Sequence, residues 1–505
     1  MKPRHDAAIF LCILCALLCL PPGAGAATRY VNLNSTNPVQ PFTSWTTAAR
    51  TIQAACDISA DGDLVLVTNG YYQTGGTTNF PEYSSLTNRL SITNAITVQS
   101  VNGPNVTFIR GDGPWGDAAI RCVFMAPGST LSGFTITNGY TRLAGDYYDE
   151  RSGGGVWCSD VSCVLTNCII TDNVAAKVGG GVFQGTLYNC TVKRNYSSDA
   201  GGGVWQGVLN ACSVRDNFSF LGGGTYYSTL YNSTLSSNMA YRGGGAEGGD
   251  LFHCSVVTNW ALQSAGGVFY GRMVNCIVYY NECTNNPNWE GGWISYTCTE
   301  PLPEGEGNIT NAPAFVSIPA HNFRLTAASP CIDTGTNDVA LLDKDGVPRP
   351  LDGNDDALII ADMGAYEFVN PYGDTDGDGM LDGYEIDYRL DPNDPADAAL
   401  DPDGDWTRSG DEFIAGTDPN NPASCFRLTR VGQQATNELV TWSSATGRVY
   451  VLQRSVNLAA GTWTNVAIGL RSWPPANTYT DASPIVTFPC FYRVWVQRTN
   501  AYYPP

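Results

Sequence analysis

The sequence predicts an all-β chain: a solenoid of stacked parallel strands, then an acidic spacer, then a small C-terminal β-sandwich. Three observations predict it. These are an internal repeat of 21 or 22 residues between Gly153 and Asn281, a run of carboxylates confined to residues 371–424, and alternating apolar and polar residues from Cys425 onward. Aligning the repeats on their central residue puts Cys168, Cys190, Cys212, Ser233, Cys254 and Cys276 in one column, at spacings of 22, 22, 21, 21 and 22. So tight a period marks a repeat architecture. Three positions earlier stand Leu165, Leu187, Leu209, Leu230, Leu251 and Met273; two positions later stand Ile170, Val192, Val214, Leu235, Val256 and Val278. Apolar residues at alternate positions have the spacing of a strand. Five positions after the column comes an unbroken series of asparagines, Asn173, Asn195, Asn217, Asn238, Asn259 and Asn281, and most copies open with a Gly triplet such as Gly179–Gly181.

If each copy is one turn of three short strands, identical positions stack at about 4.8 Å, the distance between hydrogen-bonded strands. Like then sits on like: small apolar side chains fill a narrow interior, Asn side chains bond their stacked neighbours or take left-handed corners, and Gly supplies tight bends. These columns resemble those of right-handed parallel β-helix proteins, a fold shared by pectate lyases, other polysaccharide-degrading enzymes and many bacterial surface adhesins. The resemblance covers residues 30–315 and implies a fold, with no single activity.

Composition supports the class, because 55 Gly with only 15% charged residues suits a β-rich solenoid. A net charge of −20 argues against nucleic acid as a partner. In chain order, residues 1–26 read as a secretory signal: Lys2, Arg4 and His5, the apolar run Ala7–Leu20, then Ala24-Gly25-Ala26 as a cleavage site. The chain is therefore expected to be exported to the surface or the medium. Cys15 and Cys19 follow the bulky Leu14 and Leu18, which disfavours lipidation, and no later apolar run is long enough to span a membrane.

Residues 27–307 are assigned to the β-helix. Thr46–Ser59 has helical spacing and is expected to cap the apolar end of the solenoid. In the early turns, Gly133 is placed in the Cys column and Asn138 in the Asn column. Residues 141–152, with Tyr147, Tyr148, Asp149, Glu150 and Arg151, break the period and form a loop leaving the coil, the usual place for function on a solenoid. Residues 308–370 contain Asn322-Phe323-Arg324-Leu325, Ser329 to Gly335, Arg349-Pro350 and Asp362 to Glu367; they resemble the choice-of-anchor Q region that follows β-helices in bacterial surface proteins.

Residues 371–424 hold 15 Asp or Glu against 2 Arg, so most of the chain's acidity is local. Counting Asp374 as position 1 of a twelve-residue loop puts Asp376 at 3, Asp378 at 5, Gly379 at 6, the Met380 carbonyl at 7, Asp382 at 9 and Glu385 at 12. That is the full EF-hand ligand pattern: hard oxygens for a hard cation, a Gly at the turn and a Glu able to bind through both oxygens. A second loop runs Asp401, Asp403, Asp405, Thr407, Ser409 and Glu412, with Trp406 in place of the turn Gly. With Asp391-Pro392, Asp394-Pro395 and Asp418-Pro419, the stretch resembles bacterial thrombospondin type 3 repeats, which implies a calcium-stiffened spacer. Residues 425–505 are read as a β-sandwich of fibronectin-like or carbohydrate-binding look, bracketed by Cys425 and Cys490, which are expected to form a disulfide.

The repeat cysteines are read as buried thiols, since stacked Cβ atoms about 4.8 Å apart are too widely spaced for a disulfide. His253 falls in a corner column with Asn167, Asn189, Asn232 and Asn275. The best catalytic candidate is the charged face of Lys193, Arg194 and Arg215 with Asp172 and Asp216. A lyase acting on a uronate polymer needs a cation for the carboxylate and a basic Arg or Lys to take the neighbouring proton. The competing reading is an ion-pair ladder in which Arg194 lies between the two aspartates. The aromatic column Trp157, Phe183, Trp205, Tyr226 and Phe269, broken by Glu247, either stacks on sugar rings or packs beneath loops. Three functions stay open: a glycan-binding or adhesive surface protein, a polysaccharide lyase, and a structural spacer.

Overall fold

The computed structural model describes residues 25–337, 342–434, 437–482 and 490–499, so the expected secretory signal lies outside the described residues save its last two positions. A single repeat shows why the sequence coils. From Gly179 the chain forms four short strands, Val182–Phe183, Thr186–Tyr188, Thr191–Lys193 and Tyr196–Ser197, each paired in parallel with the same strand one turn on. The strands build four sheets, here named by their residues. The aromatic sheet has 9 strands, the leucine sheet 11, the valine sheet 10 and a short sheet 6, an all-parallel β-helix. The fourth strand is one more than the repeat predicts, and it is absent from the earliest turns.

Corners separate the strands, and each corner column adopts the left-handed conformation. Asn167, Asn189, Ala211, Asn232, His253 and Asn275 have φ of 48–54° between the leucine and valine sheets. Asp172, Arg194 and Asp216 have φ of 59°, 53° and 57° where the valine strand ends. The Cys column sits just inside the first corner: each thiol donates to the carbonyl two residues back, as Cys190 does to Tyr188 at 3.3 Å, and Ser233 does the same at 2.8 Å. These thiols are buried and free. The Asn column is a buried ladder: from Asn195 to Asn281 each Oδ1 accepts both the backbone N–H and the side-chain N–H of the turn before, as Asn217 does from Asn195 at 3.0 Å each, while Asn173 Oδ1 accepts from Gly139 N–H and the Cys122 thiol.

The register corrects the early turns by one residue. Thr135 pairs with Ile169, so Phe134, not Gly133, stacks on Cys168. Gly133, at φ 77°, takes the corner, and Asn138 stacks on Asp172 rather than joining the ladder. The larger helix expected at 46–59 is only Ile52–Cys56, capped by Thr51, whose hydroxyl accepts from Ala54 N–H; Ile52, Ala55 and Cys56 still enter the core of the first turns. Among the described residues no helix is long and apolar enough to cross a membrane.

The chain divides into two compact units. The first comprises residues up to 350 with 360–368, and so takes in most of the 308–370 segment. That segment is sewn to the coil by motif residues. Buried Arg349 meets His253 Nδ1 and donates to the Asp362 and Gly364 carbonyls, Gly364 N–H donates to Asn275, and Lys344 donates to the Ala211 carbonyl at 2.7 Å. The second unit, 351–359 with 369–505, holds the acidic loops and the sandwich together. Its two three-stranded antiparallel sheets enclose Val440, Trp442, Tyr450 and Leu452. Arg448 donates to the carbonyls of Phe413 and Ile414, so the acidic segment packs on the sandwich instead of extending as a free spacer. Cys425 and Cys490 precede strands of different sheets and are free, which corrects the expected disulfide.

Candidate functional site: an aromatic cleft, a charged face and two acidic loops

The 141–152 loop folds back over the aromatic sheet because one buried arginine holds it. Arg121 donates to the carbonyls of Asp149, Ser152 (2.8 Å) and Gly153 (2.9 Å) and to Asn88 Oδ1. Burial pushes its pKa down to about 9, against the opposing pull of Asp149 and Glu150. Glu150 accepts from the backbones of Ser85 and Asp146 and pairs with Arg142 at 2.9 Å. So fixed, the loop lays Tyr148 beside Phe183 and Trp205, with ring centroids 6.0 and 5.7 Å apart, and its carbonyl accepts from Trp157 Nε1.

The aromatic column has the expected register, Trp157 on Phe183 on Trp205 on Tyr226, then Glu247, then Phe269. Its members have different fates. Trp157 and Phe183 are buried, stacked 5.4 Å apart under the loop, and Phe269 lies 4.3 Å beneath the Arg242 guanidinium, itself paired with Glu247. Trp205, equally buried and stacked 4.6 Å from Phe183, and half-buried Tyr226 border an open cleft of 580 Å³, shared with Tyr147, Tyr148, Phe220 and Tyr227. Its polar groups are Gln206 and Asp199. Asp199 Oδ2 accepts from Tyr147 OH at 2.8 Å and Lys177 Nζ at 2.9 Å. Burial raises its pKa, but the bonds from Lys177 and Tyr147 outweigh that and hold it below the usual carboxylate range. Lys177 is thus neutralised.

Tyr227 lies outside the columns that the repeat spacing singles out. It occupies a corner column at φ 45°, and in the next turn stands Gly248. A Cβ on Gly248 would lie 3.0 Å from each of three atoms of the Tyr227 ring, so only Gly lets the ring lie flat there. Tyr270 repeats the device over Gly291. Both rings keep an outer face, at 58% and 62% exposure.

On the valine sheet, Lys193 and Arg215 stack in register. Arg194 is tied to Asp172 by two bonds of 2.8 Å, and Arg215 pairs with Asp216. Lys193 makes no ion pair among the described residues; burial first, then Arg215 and Arg194, lower its pKa. His253 is a buried corner residue bonded to Asn275, and His321 bonds Ser236.

The two acidic loops are built alike. Asp374 accepts from Gly377 and Gly379 as Asp401 accepts from Gly404 and Trp406; Asp378 accepts from Met380 as Asp405 accepts from Thr407. Asp374 and Asp401 spend both oxygens on the backbone, whereas Asp376, Asp378, Asp403 and Asp405 spend only Oδ1. The others turn inward: Asp376 Oδ2, Asp378 Oδ2, Asp403 Oδ2, Asp405 Oδ2 and both oxygens of Glu385 are buried without a hydrogen-bond partner. Glu385, at 0% exposure, lies with Asp378 and Asp397 within metal-ligating reach. Burial and the Asp376 and Asp378 charges push Glu385 up to about 9; burial pushes Glu412 up to about 7, with Asp403 and Asp405 adding. Such a set of hard oxygens fits a hard cation.

Two details differ from the spacing argument. Position 9 faces outward from the cluster: Asp382 accepts from Thr375 N–H and hydroxyl at 2.7 and 2.8 Å, and Ser409 donates to Leu400. Asp397, unassigned by spacing, joins the first cluster from the following turn. Trp406 takes the left-handed conformation of Gly379, φ 77° against 95°, with its ring 96% exposed. A non-Gly residue there costs roughly 1–2 kcal/mol. Trp406→Gly should therefore stabilise the second unit by about 1 kcal/mol, the extra freedom of Gly in the unfolded chain offsetting part of the gain, and raise its urea midpoint.

No family model matches the chain, and no curated protein matches its sequence. Among solved structures it is similar to pectate lyase Pel9A, at 12% identity and a TM-score of 0.42, over 68% of this chain and 98% of that one. Pectin methylesterase PemA from Erwinia chrysanthemi matches at 11% identity and a TM-score of 0.29, over 49% and 81% of the two chains. A rhamnogalacturonan lyase matches at 13% and 0.28, over 56% and 65%.

Proposed function

We propose that this is an exported, surface or extracellular glycan-binding protein that holds neutral sugar rings in the cleft between the 141–152 loop and the aromatic sheet. The observation that carries the reading is the set of pre-positioned aromatic faces, Tyr227 lying flat on Gly248 with its outer face open, in the same cleft as Tyr148. Sugar rings present C–H faces that stack on such rings, while Asp199 and Gln206 supply acceptors and donors for hydroxyls. No Lys or Arg is among the described residues that line the cleft, which favours neutral sugars over uronates. Export rests on residues 1–26.

In the second unit, calcium would be held by Asp374, Asp376, Asp378, Asp397 and Glu385 with the Met380 carbonyl, and by Asp401, Asp403, Asp405 and Glu412 with the Thr407 carbonyl. The ion would neutralise the crowded carboxylates, and the side chains already bonded to loop backbone would orient them.

One observation supports a second reading. Lys193, unpaired and with a lowered pKa between two arginines, has the properties of a lyase base. Incubating the full chain with neutral and acidic polysaccharides, and following retention, chain length and unsaturated ends, separates the two. Retention of a neutral polymer without cleavage is expected, weakened about tenfold or more in Tyr227→Ala and unchanged in Lys193→Ala. Shortened acidic chains with unsaturated ends, abolished by Lys193→Ala, would overturn the binding reading in favour of the lyase.

A further inference from the structure

The outer face of one sandwich sheet carries a second arrangement of aromatic and polar groups, independent of the cleft. Its strands are Arg448–Ser455, Thr464–Arg471 and Phe491–Arg498. On it the Arg493 guanidinium lies 4.3 Å from the Trp463 ring centroid and 5.1 Å from that of Trp495. Arg493 pairs across strands with Gln453, and Gln453 Oε1 accepts both Arg493 Nε at 2.7 Å and Trp495 Nε1 at 2.9 Å. The Gln453 amide nitrogen in turn donates to Asn465 at 2.7 Å. Every donor and acceptor in this network fixes the orientation of one planar cation.

What is left over is directional. Nε is satisfied, while the terminal nitrogens of Arg493 have no acceptor and no ion pair among the described residues. An unpaired arginine is conspicuous in a chain of net charge −20. Beside it Trp495 is 55% exposed, paired across strands with Val451, a large apolar ring left in water. A guanidinium held in plane binds a carboxylate or sulfate through two parallel N–H bonds, and an adjacent indole face accepts the C–H face of a sugar ring. A carboxylate on a flexible peptide would use the first feature and leave the second idle.

We propose that Arg493, Trp495 and Trp463, set by Gln453, form a subsite for an anionic sugar on the C-terminal sandwich. This does not rest on the neutral-glycan cleft, and the two sites divide the ligand classes between them.

Calorimetric titration of the full chain tests it, using tetragalacturonate, a sulfated tetrasaccharide, cellotetraose and a glutamate-rich peptide as probes. An anionic tetrasaccharide is expected to bind with an affinity that falls as salt rises, tenfold or more weaker in Arg493→Ala and in Trp495→Ala, and unchanged in Tyr227→Ala. Which of the two anionic sugars binds more tightly identifies the group the fork receives. Arg493→Lys keeps the charge but loses the fork, so a loss of about fivefold is expected even if Arg493→Ala perturbs folding. The proposal fails if no anionic sugar binds, if Arg493→Ala and Arg493→Lys both bind the anionic sugars like the parent protein, or if the acidic peptide competes equally well. A lowered melting temperature in Arg493→Ala with no anionic binding in the parent would mark the stack as purely structural.

Discussion

Asn217→Ala is expected to lower the stability of the solenoid by about 3–5 kcal/mol, more than any surface change on the same turn. Asn217 is 1% exposed and stands in the middle of the ladder. Its Oδ1 accepts from Asn195 N–H and Asn195 Nδ2, and its Nδ2 donates to the Val192 carbonyl and to Asn238 Oδ1, all at 2.9–3.0 Å. Alanine removes these four bonds and leaves the Asn195 backbone donor and the Val192 carbonyl buried with nothing to replace them. A buried donor or acceptor left unpaired costs about 1–3 kcal/mol, and the corner is tight, since a Cβ on Gly203 would sit 3.1 Å from Asn217 Nδ2. Stacking passes the damage on, because each turn is stabilised chiefly by its neighbours. Denaturant titration followed by far-ultraviolet circular dichroism measures the loss. A change below about 1 kcal/mol would mean that the ladder is ornamental and that the Leu and Val columns alone hold the coil.

The same ladder shows why the solenoid was legible in sequence. Its chemistry repeats at a fixed interval, so each column reports the same backbone site six times. A single residue has no such redundancy, so the early turns read one residue out: counting puts Gly133 in the Cys column, whereas its φ of 77° places it at the corner and leaves Phe134 inside. Arg121 left no local signal either, because its partners are carbonyls 28 to 32 residues away on an irregular loop. Tyr227 did leave one, in the pairing of a corner tyrosine with a glycine one turn later, repeated at Tyr270 and Gly291. The calcium-type spacing located both loops but treated ligands as a property of one loop. Asp397 enters from the next turn of chain, and Asp382 is captured by Thr375, choices made by tertiary packing that a twelve-residue window does not contain.

The acidic loops give the other large effect, and its sign depends on the ion. Chelation of the full chain is expected to lower the melting temperature of the second unit while leaving the solenoid's transition in place. With calcium 1,000-fold above its dissociation constant, the ion contributes about 4 kcal/mol that the chelator removes. Glu385→Gln should then act in opposite directions. It keeps the side-chain volume at a site of 0% exposure but leaves no acid to be held protonated beside Asp376, Asp378 and Asp397. Without the ion the variant is expected to be more stable than the parent, since burial and neighbouring carboxylates disfavour the charged form of Glu385. With calcium it should be less stable, because an amide offers one neutral oxygen where the carboxylate offers two charged ones, and an affinity loss of about 100-fold corresponds to about 2.7 kcal/mol. The crossing of the two melting curves between chelator and calcium is the diagnostic. If Glu385→Gln shifted stability equally in both conditions, Glu385 would be a buried acid serving the fold alone, and the loops would owe their shape to backbone hydrogen bonds rather than to a cation.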